Sequence, residues 1–208
     1  MSRLMWQPSP DRIQASNMYA FMKRVNETYH YDFTFYPELW EWSVNHLDQF
    51  WQMAWDFLDI VATTPYETII EHPDKMPGAK FFPGARLNFA QNLLKHRTET
   101  PALIFRGENV TKRTLTYAQL YHQVAQTASA LKKMGIQKGD RVVGFVPNMP
   151  ESVIAMLAAT SLGAVWSSCS PDFGIKGVLD RFGQTRPSVL FTADGYFFKG
   201  QPQNSLDK

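Results

Sequence analysis

Between residues 100 and 192 the chain alternates short apolar runs with amphipathic stretches, and this alternation constrains the fold more than any other feature. The apolar runs at 141–146, 164–168 and 188–192 are typical of buried strands, and segments with helical spacing separate them. Strands and helices that alternate at this spacing predict parallel βαβ units with right-handed crossovers. We therefore expect an α/β fold with a parallel-rich sheet flanked by helices.

The helix before the first of these strands has a clear start. Thr116 and Gln119 form a capping box, in which the hydroxyl and the amide pair with backbone groups left unpaired at the helix start. Gly135 is placed to end the helix in the left-handed conformation. A hairpin of residues 102–106 and 112–115 is predicted just before this helix.

The loops that follow the strands are where a ligand is expected, because open α/β sheets bind ligands outside the carboxyl ends of their strands. These loops are residues 147–150, 168–173 and 193–201. A second helix is predicted over 150–162, and Asp172 is expected to cap a third.

The loop 193–201 contains Lys199, Gly200 and Gln201. A lysine beside a glycine with exposed backbone can meet a phosphate, although a solvated surface lysine is the more common reading. Three phosphate or nucleophile motifs are absent from the sequence: G-x-G-x-x-G, G-x-x-x-x-G-K-[ST] and G-x-S-x-G. The five histidines are scattered without metal-ligand spacing.

Three further residues are candidates for chemistry but fit structural roles better. Cys169, the lone cysteine, lacks a neighbouring base or cation in sequence, so we expect a small buried side chain rather than a nucleophile. Arg181 is interpreted as a packing or ion-pair residue rather than a ligand contact. His122 is expected on a helix surface.

Composition excludes several classes of protein. Lys and Arg number 21 against 19 Asp and Glu, and this near-neutral balance argues against a dedicated nucleic-acid binder. An apolar fraction of 44% is sufficient for a core. Because no apolar run has the length of a membrane span and no signal-peptide stretch begins the sequence, a soluble cytoplasmic protein is expected, without membrane contact.

Aromatic residues concentrate in residues 1–90, which hold 18 of the 29, including five of the six tryptophans. We expect these rings to pack rather than to form an aromatic ligand cage, because no polar constellation accompanies them. Ser9 before Pro10 predicts a helix start, and a second helix is expected from about Ser43. Alternating aromatics over 29–36 favour a strand or an extended arm, and residues 63–80 a connector.

Several stretches of the sequence resemble short-chain acyl-CoA synthetases of the AMP-binding, adenylate-forming superfamily. They are Phe82–Leu94, Thr114–Leu120, Gly135–Val143, Pro147–Glu151 and Ala158–Val165. The most discriminating pieces, Trp166–Gly174 and Val178–Gln184, are similar to the acetoacetyl-CoA synthetase family rather than to acetyl- and propionyl-CoA synthetases. The resemblance runs from about residue 35 to the end.

This resemblance implies an aromatic-rich helical extension over residues 1–90 and the first, incomplete part of an AMP-binding domain over 91–208. It implies a parent ligase that converts acetoacetate, ATP and CoA to acetoacetyl-CoA, AMP and diphosphate through an acyl-adenylate, with Mg²⁺ offsetting phosphate charge. The family's phosphate loop, adenine-pocket motif, hinge and catalytic lysine would follow residue 208. No catalytic residue or metal ligand is therefore assigned, and residues 1–208 alone are expected to be inactive and to bind no cofactor tightly.

One patch of the family is carried over by position. In related acetyl-CoA synthetases an arginine-containing loop meets the CoA nucleotide, and Lys199, Gly200 and Gln201 occupy the corresponding stretch here. The arginines are replaced, so Lys199 would act as a point charge rather than as a bidentate clamp. Two alternatives stay open, an acetyl- or propionyl-CoA synthetase fragment and a non-enzymatic interaction module that associates through exposed sheet edges.

Overall fold

The computed structural model describes residues 5–108 and 111–206. The chain divides into two compact units at the junction of Arg86 and Leu87. The first unit is helical over most of residues 10–57, and the second contains a parallel sheet with helices, which confirms the α/β class and the helical, aromatic-rich N-terminal region. The domain boundary expected between residues 90 and 91 stays a prediction.

The helices of the first unit are α1 (Pro10–Gln14), α2 (Asn17–Tyr29), α3 (Tyr36–Asn45) and α4 (Leu47–Phe57). The Ser9 hydroxyl accepts a hydrogen bond from the backbone N–H of Arg12, as the Ser-Pro signal predicts. A second serine cap, Ser16, accepts from the N–H of Tyr19 and starts α2. The helix that starts at the Ser-Pro signal is therefore short, and a second helix follows it directly.

The helix expected from Ser43 begins instead at Tyr36 and is interrupted at His46. Glu38 explains the earlier start, because its carboxylate accepts hydrogen bonds from the backbone N–H groups of Thr34 and Phe35. The residues between α2 and α3 form no strand, so the strand reading of their aromatic alternation is wrong.

Aromatic rings fill the interior of the first unit, as the sequence predicts. Trp42, which is 3% exposed, lies among the rings of Tyr29, Phe33 and Phe50 at centroid distances of 5.6 to 6.5 Å. Offset and edge-to-face ring pairs of this kind add to the energy of apolar burial. Met22, Val25, Leu39 and Met53 complete this core.

The connector of residues 63–80 contains more structure than its composition suggests. Strands β1 (Ile70–Glu71) and β2 (Lys80–Phe81) form a short antiparallel pair, and Thr64 bridges to Arg86. The ring of Phe82 lies 4.6 Å from that of Trp55 and 5.4 Å from that of Tyr66. Aromatic packing therefore continues to the end of the first unit.

The second unit begins with α5 (Phe89–Leu93) and the predicted hairpin, β3 (Pro101–Arg106) with β4 (Lys112–Thr116). Asn109, placed in the turn of this hairpin by the sequence, lies outside the described residues. Helix α6 (Tyr117–Lys133) starts at the capping box, with Thr116 and Gln119 bonding each other's backbone as predicted. Gly135 follows its end at a φ of 89°.

The parallel sheet has the order β6–β5–β7, with β5 (Arg141–Phe145) between β6 (Val165–Cys169) and β7 (Val189–Thr192). Helices α7 (Pro150–Ser161) and α8 (Ile175–Thr185) connect the three strands. Val142 belongs to the core cluster that includes α6 and α7, and Val143 to a cluster that includes Phe182 of α8. The central strand is therefore buried on both faces, as in other parallel sheets.

Gly144 leaves room for one aromatic side chain to lie across one face of the central strand β5. A Cβ atom at this position would lie 2.7 Å from the Trp166 indole, which is closer than atoms can pack. The Trp166 ring also lies 6.1 Å from that of Phe191 on β7. A residue without a side chain on β5 thus allows Trp166 of β6 to pack towards β7.

Two expectations for the last part of the chain are wrong in detail. Asp172 does not cap α8, since the residue at the N-cap position is Gly174 and no side chain bonds there. Residues 193–201 are not a plain loop, because β8 (Gly195–Phe198) and β9 (Gln201–Asn204) pair as an antiparallel hairpin with Lys199 and Gly200 as its turn.

Among the described residues, no helix combines the length and the apolar character that crossing a membrane requires.

Candidate functional site

A cavity of about 560 Å³ opens where the carboxyl ends of β5, β6 and β7 meet. Four segments line it, each following or forming part of a strand: residues 105–108 with Thr111 near the β3–β4 turn, 147–149 after β5, 170–172 after β6, and 195–198 in β8. This is the edge of the sheet at which the sequence predicts a ligand. The structure brings the three predicted loops to one place.

Charged and polar groups in the cavity come from separate segments. Its lining includes Arg106 and Glu108 near the hairpin turn, Asn148 after β5, and Asp172 after β6. An arginine with two carboxylates and an amide can bind a polar ligand by hydrogen bonds and charge.

A second cavity, of about 360 Å³, lies in the first unit and has a different lining. Its walls are almost entirely apolar or aromatic, with Phe21, Leu39, Trp40 and Phe57 among them, and they contain no carboxylate, lysine or arginine. A charged substrate would find no ionic partner on these walls. Another cavity of the first unit, of about 410 Å³, does carry charges from Lys23, Arg24, Glu27 and Asp56. We place the candidate site in the second unit because its cavity lies at the carboxyl ends of parallel strands.

Asp172 is the centre of a small hydrogen-bond network at the rim of the candidate site. Its Oδ1 accepts from the hydroxyl of Tyr196 at 2.8 Å, and its Oδ2 accepts from the hydroxyl of Ser170 at 2.9 Å. The Ser170 oxygen in turn accepts from the backbone N–H of Asp172 at 3.3 Å. The carboxylate therefore connects the loop after β6 to the β8–β9 hairpin.

The pKa of Tyr196 is raised, first by burial, then by its hydrogen bond to Asp172 and by the charge of that carboxylate. All three causes oppose loss of the phenol proton. The Tyr196 hydroxyl consequently remains a hydrogen-bond donor at neutral pH, as its contact with Asp172 requires.

The predicted site residues lie at the tip of this hairpin. Lys199 and Gly200 are both at positive φ, 52° and 73°, and Gln201 begins β9 opposite Phe198. Two successive left-handed residues form the type I′ turn that suits the twist of a hairpin. Gly200 donates its backbone N–H to the Glu108 carboxylate at 3.0 Å.

Lys199 is exposed, and its ammonium lies 5.3 Å from the centre of the Phe198 ring. Phe198 lines the cavity, whereas Lys199, Gly200 and Gln201 follow it just outside the lining. The three predicted residues are thus adjacent to the cavity, with Lys199 supplying a cation at its edge.

The loop after β5 is held by a contact with the β3–β4 hairpin. Arg113 of β4 forms an ion pair with Glu151 in the first turn of α7. Ser152 donates its hydroxyl to the carbonyl of Pro147 at 3.3 Å. These contacts position residues 147–149, which line the candidate site.

The other candidate residues have the structural roles that the sequence predicts. Cys169 is buried, and burial raises the pKa of its thiol, with the charge of Arg181 opposing that shift. Arg181 lies 3.8 Å over the ring of Phe173 and donates to the carbonyl of Gly177, so it is a packing residue. His122 is exposed on α6.

Sequence reasoning missed Tyr196, Glu108 and the position of Asp172 in the network. The signal for Asp172 was ambiguous, because an Asp shortly before a helix is typical of a cap. Within the described part of the chain, no group of three or more His, Cys, Asp or Glu side chains could hold a metal ion.

Comparison with known proteins supports the resemblance seen in the motifs. The profile described as AMP-binding enzyme matches residues 89–208, and the profile described as Acetyl-coenzyme A synthetase N-terminus matches residues 36–93. The two matches together cover the first unit from residue 36 and all of the second unit.

Relatives and a solved structure are similar over nearly the whole chain. Acetoacetyl-coenzyme A synthetase of Rhizobium meliloti is 41% identical across 97% of this chain, and acetoacetyl-CoA synthetase of Xenopus tropicalis is 39% identical across 100%. The structure of acetoacetyl-CoA synthetase from Streptomyces lividans matches 99% of the chain with a TM-score of 0.90 and 39% identity. The chain spans 31% of the length of each of these two relatives and 32% of the solved chain. The chain therefore belongs to the AMP-binding enzyme family, and within it resembles acetoacetyl-CoA synthetases along its whole length.

Proposed function

We propose that this chain is the N-terminal portion of an AMP-forming ligase that joins acetoacetate to CoA. The parent enzyme would convert acetoacetate, ATP and CoA to acetoacetyl-CoA, AMP and diphosphate through an acyl-adenylate. The observation that carries the proposal is similarity to acetoacetyl-CoA synthetases over the full chain, at 39–41% identity and with a TM-score of 0.90. Alternative acids within the same reaction are acetate and propionate.

In this proposal the described residues bind and orient substrate rather than transfer groups. Lys199, Gly200 and Gln201 contact the nucleotide end of CoA, where the Lys199 ammonium meets phosphate as a point charge. The exposure of Lys199 at the edge of the cavity supports this role. Mg²⁺ would offset charge on the ATP phosphates, with ligands from outside residues 1–208.

The backbone N–H of Gly200 already has an acceptor in the Glu108 carboxylate. A CoA phosphate that used this N–H would replace one anion by another at the same donor. Lys199 is thus the residue through which the proposal is tested most directly.

The acid is tested with the complete gene product, by measuring acyl-CoA formation with acetoacetate, acetate and propionate in parallel. We expect the highest kcat/KM with acetoacetate. A higher kcat/KM with acetate or propionate would show that acid, and not acetoacetate, to be the preferred substrate. If none of the three acids gives acyl-CoA, the result would favour a non-enzymatic module.

The CoA contact is tested with Lys199→Ala in the complete protein. Loss of one charge-assisted contact predicts a rise of about tenfold in the KM for CoA, with the KM for ATP unchanged. Lys176→Ala removes another exposed lysine, from α8, and is the matched control. An unchanged KM for CoA in Lys199→Ala would refute the contact.

A further inference from the structure

The β8–β9 hairpin pairs with itself and forms a two-stranded sheet separate from β6–β5–β7. A two-stranded hairpin has little stability of its own in water. Its position at the rim of the candidate site therefore depends on contacts with other segments rather than on a continuous ladder of backbone hydrogen bonds.

Asp172 supplies such a contact near the base of the hairpin. Its Oδ1 accepts from Tyr196, the second residue of β8, although the two residues are far apart in the chain. Ser170 holds the other carboxylate oxygen from within the loop after β6, and that loop continues directly from Cys169 in the parallel sheet. The carboxylate is thus oriented by one loop and bonded to the other.

The turn of the hairpin is close to this contact in sequence. Two residues separate Tyr196 from Lys199, and both of them, Phe197 and Phe198, line the cavity. A change in the angle of β8 at Tyr196 would move the turn residues relative to the cavity. A second contact, from the Gly200 N–H to Glu108, holds the tip itself.

We propose that Asp172 is a positioning residue, which holds the β8–β9 hairpin through the Tyr196 hydroxyl so that Lys199 and Gly200 meet the nucleotide end of CoA. This inference rests on the proposed function. Asp172 itself touches no reacting group; it acts through the hairpin. A hydroxyl that donates to a carboxylate forms a shorter and stronger bond than one between neutral groups, which suits a tether at a solvent-accessible rim.

The test uses four variants of the complete gene product. Tyr196→Phe removes the donor and keeps the ring, and Asp172→Ala removes the acceptor. Asp172→Asn keeps an oxygen that accepts from Tyr196 and has an amide that can donate to the Ser170 oxygen, so it should rescue in part. Tyr121→Phe removes a hydroxyl from a ring on α6 that stacks under Arg97, and is the matched control.

We expect Tyr196→Phe and Asp172→Ala to raise the KM for CoA about three- to fivefold. The KM for ATP, the KM for acetoacetate and the rate of ATP–diphosphate exchange should match wild type. These quantities report formation of the acyl-adenylate, which comes before the reaction with CoA. Tyr121→Phe should show the wild-type KM for CoA, and Asp172→Asn, which keeps an acceptor without its charge, should lie between Asp172→Ala and wild type. An unchanged KM for CoA in Tyr196→Phe, or an equal rise for all three substrates, overturns the proposal.

Amide hydrogen exchange without ligand separates this inference from the proposed function. Tyr196→Phe should speed exchange over residues 195–204 relative to Tyr121→Phe, while exchange in β5 stays the same. A wild-type protein that forms no acyl-CoA with any acid would remove the proposed function, and with it the CoA role of Asp172. Equal exchange rates in the two variants would remove the tether even if the enzyme is active.

Discussion

In the first unit, buried side chains come from helices close in sequence, and aromatic rings dominate their contacts. The core extends from Met22 to Met53, with Trp42 near its centre. In the second unit the buried residues of the larger core cluster are aliphatic, and the central strand pairs with segments far along the chain, as Val142 does with Val189. One unit is thus organised by local ring packing and the other by non-local strand pairing.

This difference extends to what each unit can bind. Two cavities of the first unit, one apolar and one charged, are lined by its helices, whereas the cavity of the second is lined by loops after several strands and by the β8–β9 hairpin. Loops from distant strands can meet at one sheet edge, and a bundle of consecutive helices offers no equivalent edge. The candidate site therefore lies in the unit with non-local contacts.

The largest expected effect tests the aromatic core. Trp42→Ala should lower the free energy of unfolding of the first unit by about 3–5 kcal/mol, because it leaves a cavity among the surrounding rings. Hydrogen exchange resolved along the chain during urea titration measures this loss. Trp40, at 54% exposed, provides the control Trp40→Ala, for which less than half of that loss is expected.

An equal loss of protection throughout residues 87–206 in Trp42→Ala would contradict the separation of the two units. The buried partners of Trp42 all belong to the first unit, so the loss should be confined there.

The second prediction concerns the non-local core. Gly144→Ala should destabilise the second unit by about 1–3 kcal/mol, because the new methyl group meets the Trp166 indole and forces overpacking. Trp166 is the one tryptophan beyond residue 90, so its fluorescence in a variant with the other five tryptophans replaced by phenylalanine reports the change.

Gly183→Ala is the matched control for that substitution. Gly183 lies in α8 with no atom within 4 Å of the added Cβ, and alanine favours helix, so this change should be neutral or slightly stabilising. Destabilisation by both variants to the same extent would contradict the role given to the close approach of Trp166.

The third prediction concerns the cap of α6, a local contact within the second unit. Thr116→Ala should cost the second unit about 1 kcal/mol, because the hydroxyl that accepts from Gln119 is lost. Thr116→Ser keeps the acceptor and should remain close to wild type. Urea unfolding of both variants, followed by circular dichroism, gives the difference, and equal stabilities would contradict the cap.

The smallest effect is a pH dependence in the first unit. Hydrogen bonds from the backbone N–H groups of Phe35 and Thr34 lower the pKa of Glu38 below its ordinary value of 4.5. A carboxyl group whose pKa is lower in the folded state stabilises that state above its unfolded pKa, and this contribution is lost as pH falls through the folded value. Protection of the Phe35 and Thr34 amides should therefore decrease on acidification below about pH 4.5.

Glu38→Gln is the corresponding variant, because its amide oxygen still accepts but carries no charge. Its amide exchange at residues 34 and 35, corrected for intrinsic rates, should lack this acid transition. Glu41→Gln, on the same helix, is the control. An acid transition retained in Glu38→Gln would show that another group is responsible.

Much of the second unit could be predicted because its signals are local. The capping box of Thr116 and Gln119 and the glycine after α6 are read from a few neighbouring residues, and the structure has them as expected. The start of α3 could also have been found, since Pro37 and Glu38 stand in its first turn. It was missed because the apolar spacing is clearer after Ser43.

The network around Asp172 could not be predicted in the same way. Asp172 could either cap α8 or accept a hydrogen bond from Tyr196, and the outcome depends on where the β8–β9 hairpin lies. Asp172 and Tyr196 are 24 positions apart in the sequence. The hairpin itself was hidden because its turn is Lys199-Gly200 rather than the Asn-Gly or Asp-Gly pair that most strongly signals a type I′ turn.

The sequence by itself determined the kinds and order of the elements from the β3–β4 hairpin to β7, and the edge at which their loops would gather. The spacing of apolar residues and the residues that cap helices each involve only a few neighbouring positions, so they can be recognised from the sequence alone. The tertiary structure decided that β5 lies between β6 and β7, and that Asp172, Tyr196 and Glu108 surround one cavity. Those facts depend on packing between distant segments on both faces of the sheet, which no single stretch of sequence contains.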